Sequence, residues 1–180
     1  VFIVLDMRSL KACFLIYLCS LSRPNISLVN NIQNAHIGAF GDLGTTASAK
    51  SEIYQSLPED GVGVLNLDID YADKWRDVIG ARRCITFSAE GKSADVMAVN
   101  LKSDELGCYK FTMRLSSKTQ TLRDISIRLN VPGQHSVSNA VAAATCALAT
   151  GAGIDQIKRG LQMVQPLSGR CLLYTSPSPR

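Results

Sequence analysis

Several signatures that would fix a function at sight are missing from these 180 residues. There is no G-x-x-x-x-G-K-[ST] phosphate loop, no G-x-G-x-x-G dinucleotide fingerprint and no G-x-S-x-G nucleophile elbow. The six cysteines (Cys13, Cys19, Cys84, Cys108, Cys146 and Cys171) make no C-x-x-C pair, so zinc-ribbon spacing is excluded. Most sit in apolar runs, as reduced buried thiols of a cytosolic protein do. Long apolar runs are lacking too. The N-terminal stretch VFIVLDMRSLKACFLIYLCSL is broken by Asp6, Arg8 and Lys11, whereas a membrane span needs about 20 mostly apolar residues. No membrane insertion is expected. The 19 Lys and Arg against 15 Asp and Glu give a net charge of only +4, scattered without a basic stripe. Nucleic acid is therefore not an expected partner.

What is present is enough apolar residue, 46% against 19% charged, to exclude a disordered chain and to build one core. Apolar runs predict buried strands at Val1–Asp6, Ile26–Asn30 and Val62–Leu65. Helical spacing predicts helices up to Ser22, over Thr45–Leu57 and over Ala72–Ile79. Strand and helix in alternation predict an α/β fold with a mostly parallel sheet flanked by helices. Residues 83–88, 94–102, 107–115 and 121–129 read as a small antiparallel β region. Two helices, Ser138–Thr150 and Ile154–Val164, close the pattern, with Gly151 and Gly153 as cap and turn. Residues 1–170 read as part of one domain. The last ten, CLLYTSPSPR, have no helix or strand logic and read as a non-native tail. A first strand that opens without an initiating Met reads as truncated.

Four places could carry chemistry. His36 follows a strand's C-terminal end, where α/β sheets place ligands; it could bind a metal or phosphate oxygen, or simply meet solvent. Lys50, among small neighbours on the following helix, could face inward or pair with a carboxylate in water. Asn66, Asp68 and Asp70 stand at another strand end, where nucleotide or metal contact competes with turn and capping chemistry. In Gly133-Gln134-His135-Ser136-Val137-Ser138-Asn139, Gly133 permits close backbone approach, and Ser136 or Ser138 can cap a helix. If that helix begins by His135, His135 and Asn139 share a face. An Asn amide, both donor and acceptor, suits an adenine edge.

In order and spacing, SLSRPNISLVNNIQNAHIGAFGDLGTTASAKSEIYQSLPEDGVGVLN, VPGQHSVSNAVAAATCALATGAGIDQIKRGL and PLSGR resemble the central domain of the Mur ligases, from about Ser20 to Arg170. AH-x-x-x-FG, AK-x-E-I-[FY] and LPE-[DN]-G resemble its D-alanyl-D-alanine-adding branch. The resemblance implies a P-loop-type domain, here incomplete, of a cytoplasmic, monomeric enzyme of peptidoglycan synthesis. It implies ATP and Mg2+ as cofactors, and UDP-MurNAc-tripeptide and D-alanyl-D-alanine as substrates joined through an acyl phosphate. It further implies magnesium held by His36, a carbamylated Lys50 and Asp6, with His36 and Lys50 catalytic. Asn139 and His135 would meet adenine, with Asn66, Asp68 and Arg170 also nucleotide-binding. Asp6-Met7-Arg8 departs from the family's Glu-(Met/Leu)-Gly, and Gly133-Gln134-His135-Ser136 from its Gly-x-His-Asn. The phosphate loop is expected upstream of Val1, so residues 1–180 are expected to be inactive alone. The competing readings are another Mur-type ligase, a folylpolyglutamate synthase, or a degenerate domain that only binds.

Overall fold

The computed structural model describes residues 3–7, 14–32, 43–116 and 123–166. Helix α1 (Phe14–Ser22) leads through Pro24 into the short strand β1 (Ile26–Leu28). It ends where Arg23 turns to a φ of 46° ahead of that proline, which disfavours helix before it. Then come α2 (Leu43–Gln55), β2 (Val62–Asn66), α3 (Ala72–Ile79) and β3 (Arg83–Ser88). Three strands follow, β4 (Val96–Ser103), β5 (Cys108–Leu115) and β6 (Arg123–Pro132), and then helices α4 (Gln134–Ala149) and α5 (Ile154–Met163).

The described strands form one sheet in the order β1-β2-β3-β4-β5-β6. The first four run parallel to their neighbours, while β4–β5 and β5–β6 pair antiparallel. The α/β class and the mostly parallel sheet are as the sequence predicts. The small antiparallel region is there too, as β4–β5–β6. One boundary needs correction. Residues 83–88 belong to the parallel part, in register with β2 from Val62↔Arg83 to Asn66↔Phe87. Phe87↔Val96 and Ser88↔Met97 join β4 to β3, so one sheet runs through both parts. Alternating burial alone cannot tell a half-covered parallel neighbour from an antiparallel one.

A second correction concerns the N-terminus. Residues 3–7 form no strand, and Ile3, Val4 and Leu5 are exposed at 81%, 93% and 57%. Apolar composition favours a strand only where a neighbouring backbone takes up its N–H and C=O groups. No described strand does so here.

Side chains alternate across β2, so Val64 enters one core and Leu65 the other. On one face Val64, Phe87, Val96, Phe111 and Ile127 pack against Val137 and Val141 of α4 and Ile157 of α5. On the other, Leu65 packs with Tyr54 of α2 and with Trp75 and Ile79 of α3. The Trp75 indole donates to the Ala47 carbonyl at 3.1 Å, which ties α3 to α2. Cys146 lies in α4, and its burial pushes the thiol up to about 11, so it is an inert packing residue.

Helix α4 decides where the site lies. It begins at Gln134, four residues before the predicted start. Gly133, with φ 94° and ψ 142°, takes the N-cap position in a conformation open essentially to glycine alone. Ser136 and Ser138 are therefore not caps. Ser136 is in the first turn, and its hydroxyl donates back to the Pro132 carbonyl at 2.8 Å. At the other end Gly151, with φ 83°, closes a Schellman motif: Gly151 N–H donates to Leu148 O and Ala152 N–H to Ala147 O. Gly153 caps the start of α5 instead, where its N–H donates to Gln156 Oε1 at 3.1 Å.

Candidate nucleotide-binding cleft

A cleft of about 520 Å³ opens at the C-terminal ends of β1 and β2, against the first turns of α4. Asn30, Asn31, Asn66, Asp68, His135 and Asn139 are among its lining residues. Strand ends that splay beside a helix N-terminus leave backbone donors and a concave surface, the usual ligand position of an open α/β sheet.

Because α4 starts at Gln134, His135 and Asn139 stand one turn apart on one face, both exposed to the cleft. A Cβ on Gly133 would stand 2.4 Å from the His135 ring, so the absence of a side chain there is what lets the imidazole fold back.

A chain of amide contacts holds the cleft wall. Asn30 Nδ2 donates to Asn139 Oδ1 at 2.7 Å. Asn66 Nδ2 donates to the Asn30 carbonyl at 2.8 Å, while Asn66 Oδ1 accepts from the Asp68 N–H at 2.9 Å. The Asp68 carboxylate then accepts from the Ser88 hydroxyl at 2.6 Å and from the Ala89 N–H at 2.7 Å. Ser88 Oγ accepts in turn from the N–H groups of Glu90 and Lys92. The tips of β1, β2 and β3 and the first turns of α4 are thus joined by named hydrogen bonds. Both ends of buried Asn66 and both oxygens of Asp68 are engaged with protein groups. Turn chemistry and site construction are here the same contacts.

Lys50 reaches from α2 to donate to the Asn31 carbonyl at 2.9 Å, beside the cleft. Partial burial lowers its pKa below the ordinary lysine value. Asp6 lies on the exposed segment 3–7. His36 and Arg170 lie outside the described residues. Among the described residues no three His, Cys, Asp or Glu side chains converge into a metal cage. The structure brings together Asn66, Asp68, His135 and Asn139, with Lys50 one carbonyl away. Sequence reasoning missed Asn30 and Ser88. Neither has a motif, and the only signal for them was their position at strand C-terminal ends.

A mostly parallel α/β sheet with a polar cleft at its strand ends is the architecture in which open α/β folds place their ligands. Comparison with known proteins gives the family. The Mur ligase middle domain model matches residues 3–147, and the chain belongs to that family. It is 36% identical over 151 residues to UDP-N-acetylmuramoyl-tripeptide–D-alanyl-D-alanine ligase of Escherichia coli strain K12, covering 84% of this chain and 32% of that one. A crystal structure of MurF from Acinetobacter baumannii superposes with a TM-score of 0.85 at 26% identity, over 94% of this chain and 36% of the other. MurF ligase from Thermotoga maritima, solved in complex with ADP, shares the fold at a TM-score of 0.67 and 16% identity, over 87% of this chain and 34% of that one. The chain spans about a third of the length of the curated relatives it matches.

Proposed function

We propose that this chain is part of the central, ATP-binding domain of a ligase that joins D-alanyl-D-alanine to UDP-MurNAc-tripeptide in peptidoglycan synthesis. The observation that carries this reading is the cleft, where His135 and Asn139 share one face of α4 opposite the tips of β1 and β2. The similarity to the Escherichia coli ligase supports the choice of substrates. In this reading residues 1–170 belong to the domain and 171–180 are a non-native tail. The enzyme is a cytoplasmic monomer.

The chemistry is attack of the tripeptide carboxylate on the ATP γ-phosphorus. This forms an acyl phosphate and expels ADP. The D-alanyl-D-alanine amine then attacks the acyl carbon, an amide forms and phosphate leaves. Asn139 and His135 hold the adenine base. Asn66 and Asp68 shape the wall beneath the nucleotide, and Arg170 contributes at the exit from the domain. Lys50, His36 and Asp6 would hold magnesium. Lys50 fits this role: its lowered pKa favours the neutral amine that carbamylation requires, and a carbamate gives a hard oxygen ligand. Magnesium, when bound, supplies positive charge against the phosphates.

The test uses the parent gene. Its product should carry G-x-x-G-K-[ST] shortly upstream of Val1 and release phosphate when given ATP, UDP-MurNAc-tripeptide and D-alanyl-D-alanine. A parent with no such loop, or without turnover on these substrates, refutes the ligase reading. One observation favours a second reading. Residues 3–7 are exposed and carry Asp6 where the family has Glu, as a degenerate domain that binds nucleotide without ligating would. Nucleotide binding by the intact parent with no phosphate release would select it.

A further inference from the structure

The Asn139 carbonyl is not free to choose its partner. Asn30 Nδ2 donates to Asn139 Oδ1 at 2.7 Å, across 109 positions of sequence. Asn30 is itself held, because its main-chain carbonyl accepts from the side chain of Asn66, which is only 4% exposed. Asn30 Oδ1 is buried with no hydrogen-bond partner among the described residues. That orphan argues for the sense of the pair. Turning Asn30 over would place its NH2 donors in the same buried spot, and unsatisfied buried donors are rarer than under-satisfied carbonyls. The Nδ2 hydrogens of Asn139 are bonded to nothing among the described residues, and they are what it offers the cleft.

We propose that Asn30 is a positioning residue that fixes the Asn139 amide with its NH2 toward the cleft, and so sets which purine the cleft accepts. The inference rests on the reading that Asn139 meets the base. An amide fixed this way sets Nδ2–H against a ring-nitrogen acceptor. The second lone pair of Oδ1 is left for an exocyclic amine. Adenine offers that pair on either edge. In hypoxanthine a carbonyl oxygen replaces the amine, so one contact becomes oxygen against oxygen, and on the Watson–Crick edge N1 also becomes an N–H that faces Nδ2–H. Asn30 thus does for specificity what its neighbours do for the fold.

Adenosine and inosine are the probes, since neither carries a phosphate that a changed charge would repel. Each is titrated into the 15N-labelled 180-residue chain and followed by amide chemical shifts. The wild type should bind adenosine roughly five- to tenfold more tightly than inosine, the value of one good hydrogen bond. Asn30→Asp can only accept, so it turns the Asn139 amide over. The preference should vanish or reverse, and the Asn139 side-chain NH2 resonances should shift in the absence of ligand. Asn30→Ala leaves the amide free to rotate and should narrow the preference to about twofold. A space-filling role predicts the opposite order, with the near-isosteric Asp the milder change and both nucleosides weakened alike.

An unchanged adenosine-to-inosine ratio in both Asn30 variants, with Asn139→Ala abolishing the preference, would overturn the role of Asn30 while leaving the base reading intact. No preference in the wild type, or no effect of Asn139→Ala, would overturn the base reading and this inference with it. Should Asn30→Asp not fold, the Asn30→Ala ratio decides.

Discussion

Tyr54→Phe removes one oxygen atom from the centre of the molecule and should be among the costlier single substitutions. Tyr54 is fully buried on α2. Its hydroxyl donates to the Val64 carbonyl at 2.9 Å and accepts from the Val29 N–H at 3.0 Å. Val64 lies in β2 and Val29 immediately follows β1, where the two part, since the β1–β2 register ends at Leu28↔Val64. The hydroxyl bridges a donor just past the end of β1 to an acceptor on β2. Phenylalanine fills the same volume, so no cavity forms and the packing against Trp75, at a ring separation of 5.8 Å, is kept. The cost is the two orphaned groups. A buried unsatisfied group costs about 1–3 kcal/mol. The carbonyl retains a second lone pair and the N–H has no alternative, so most of the loss falls on Val29. The sum is about 2–3 kcal/mol, or roughly 4–12 °C in melting temperature for a domain of this size. Urea unfolding of the 180-residue chain, followed by far-ultraviolet circular dichroism, measures it. A loss below about 0.5 kcal/mol would mean that water or another acceptor serves the Val29 N–H, and that the bridge does not hold β1.

Asp68→Ala should cost about 2–3 kcal/mol, since the carboxylate holds the Ser88 hydroxyl and the Ala89 N–H; Asp68→Asn should recover part of it, and denaturant unfolding of both variants checks this. Lys50 has a lowered folded-state pKa, so between that value and the ordinary 10.5 the unfolded chain binds more protons and the Lys50 contribution to stability should rise with pH. Burial raises the thiols of Cys19, Cys84 and Cys146, which act in the opposite sense over the same range, so the measure is the difference in urea stability between wild type and Lys50→Met, which should grow in favour of the wild type from pH 7 to 10.5. In the full-length parent, Lys50→Ala should abolish phosphate release, and added bicarbonate should not restore it because the acceptor amine is gone.

The elements most legible in the sequence were those whose local pattern and tertiary setting agree. Ala72–Ile79 is helical at the predicted bounds, because Ala72, Trp75 and Ile79 fall on one face that the sheet buries. Val62–Asn66 extends the predicted strand by one residue and is buried throughout. The misreadings arose where a neighbour, not a pattern, decides. Val1–Asp6 has a strand's composition, but residues 3–7 find no strand to pair with among the described residues. Residues 83–88 have a strand's alternation, and only the chain's path shows whether the partner runs parallel. Helix α4 begins early because Gly133 takes up a backbone conformation closed to other residues, which turns Ser136 from a cap into a first-turn residue.

The site was legible to the extent that its chemistry lies within one helix. His135 and Asn139 sit four residues apart, and placing the start of α4 was enough to put them on one face. The rest of the cleft comes from long-range pairings that no spacing rule encodes: Asn30 with Asn139 and with Asn66, and Asp68 with Ser88. Each joins the end of one element to the end of another. Strand ends are where backbone groups lose their ladder partners, and short polar side chains there satisfy one another. The same loss of partners leaves amide groups facing a cavity. A polar residue at the C-terminal end of a parallel strand therefore serves the fold and the ligand together. The sequence at Asn66 and Asp68 is compatible with turn chemistry and with ligand contact alike. With both ends of Asn66 and both oxygens of Asp68 bonded to protein, these residues hold in place the wall that Asn30 and Asn139 complete.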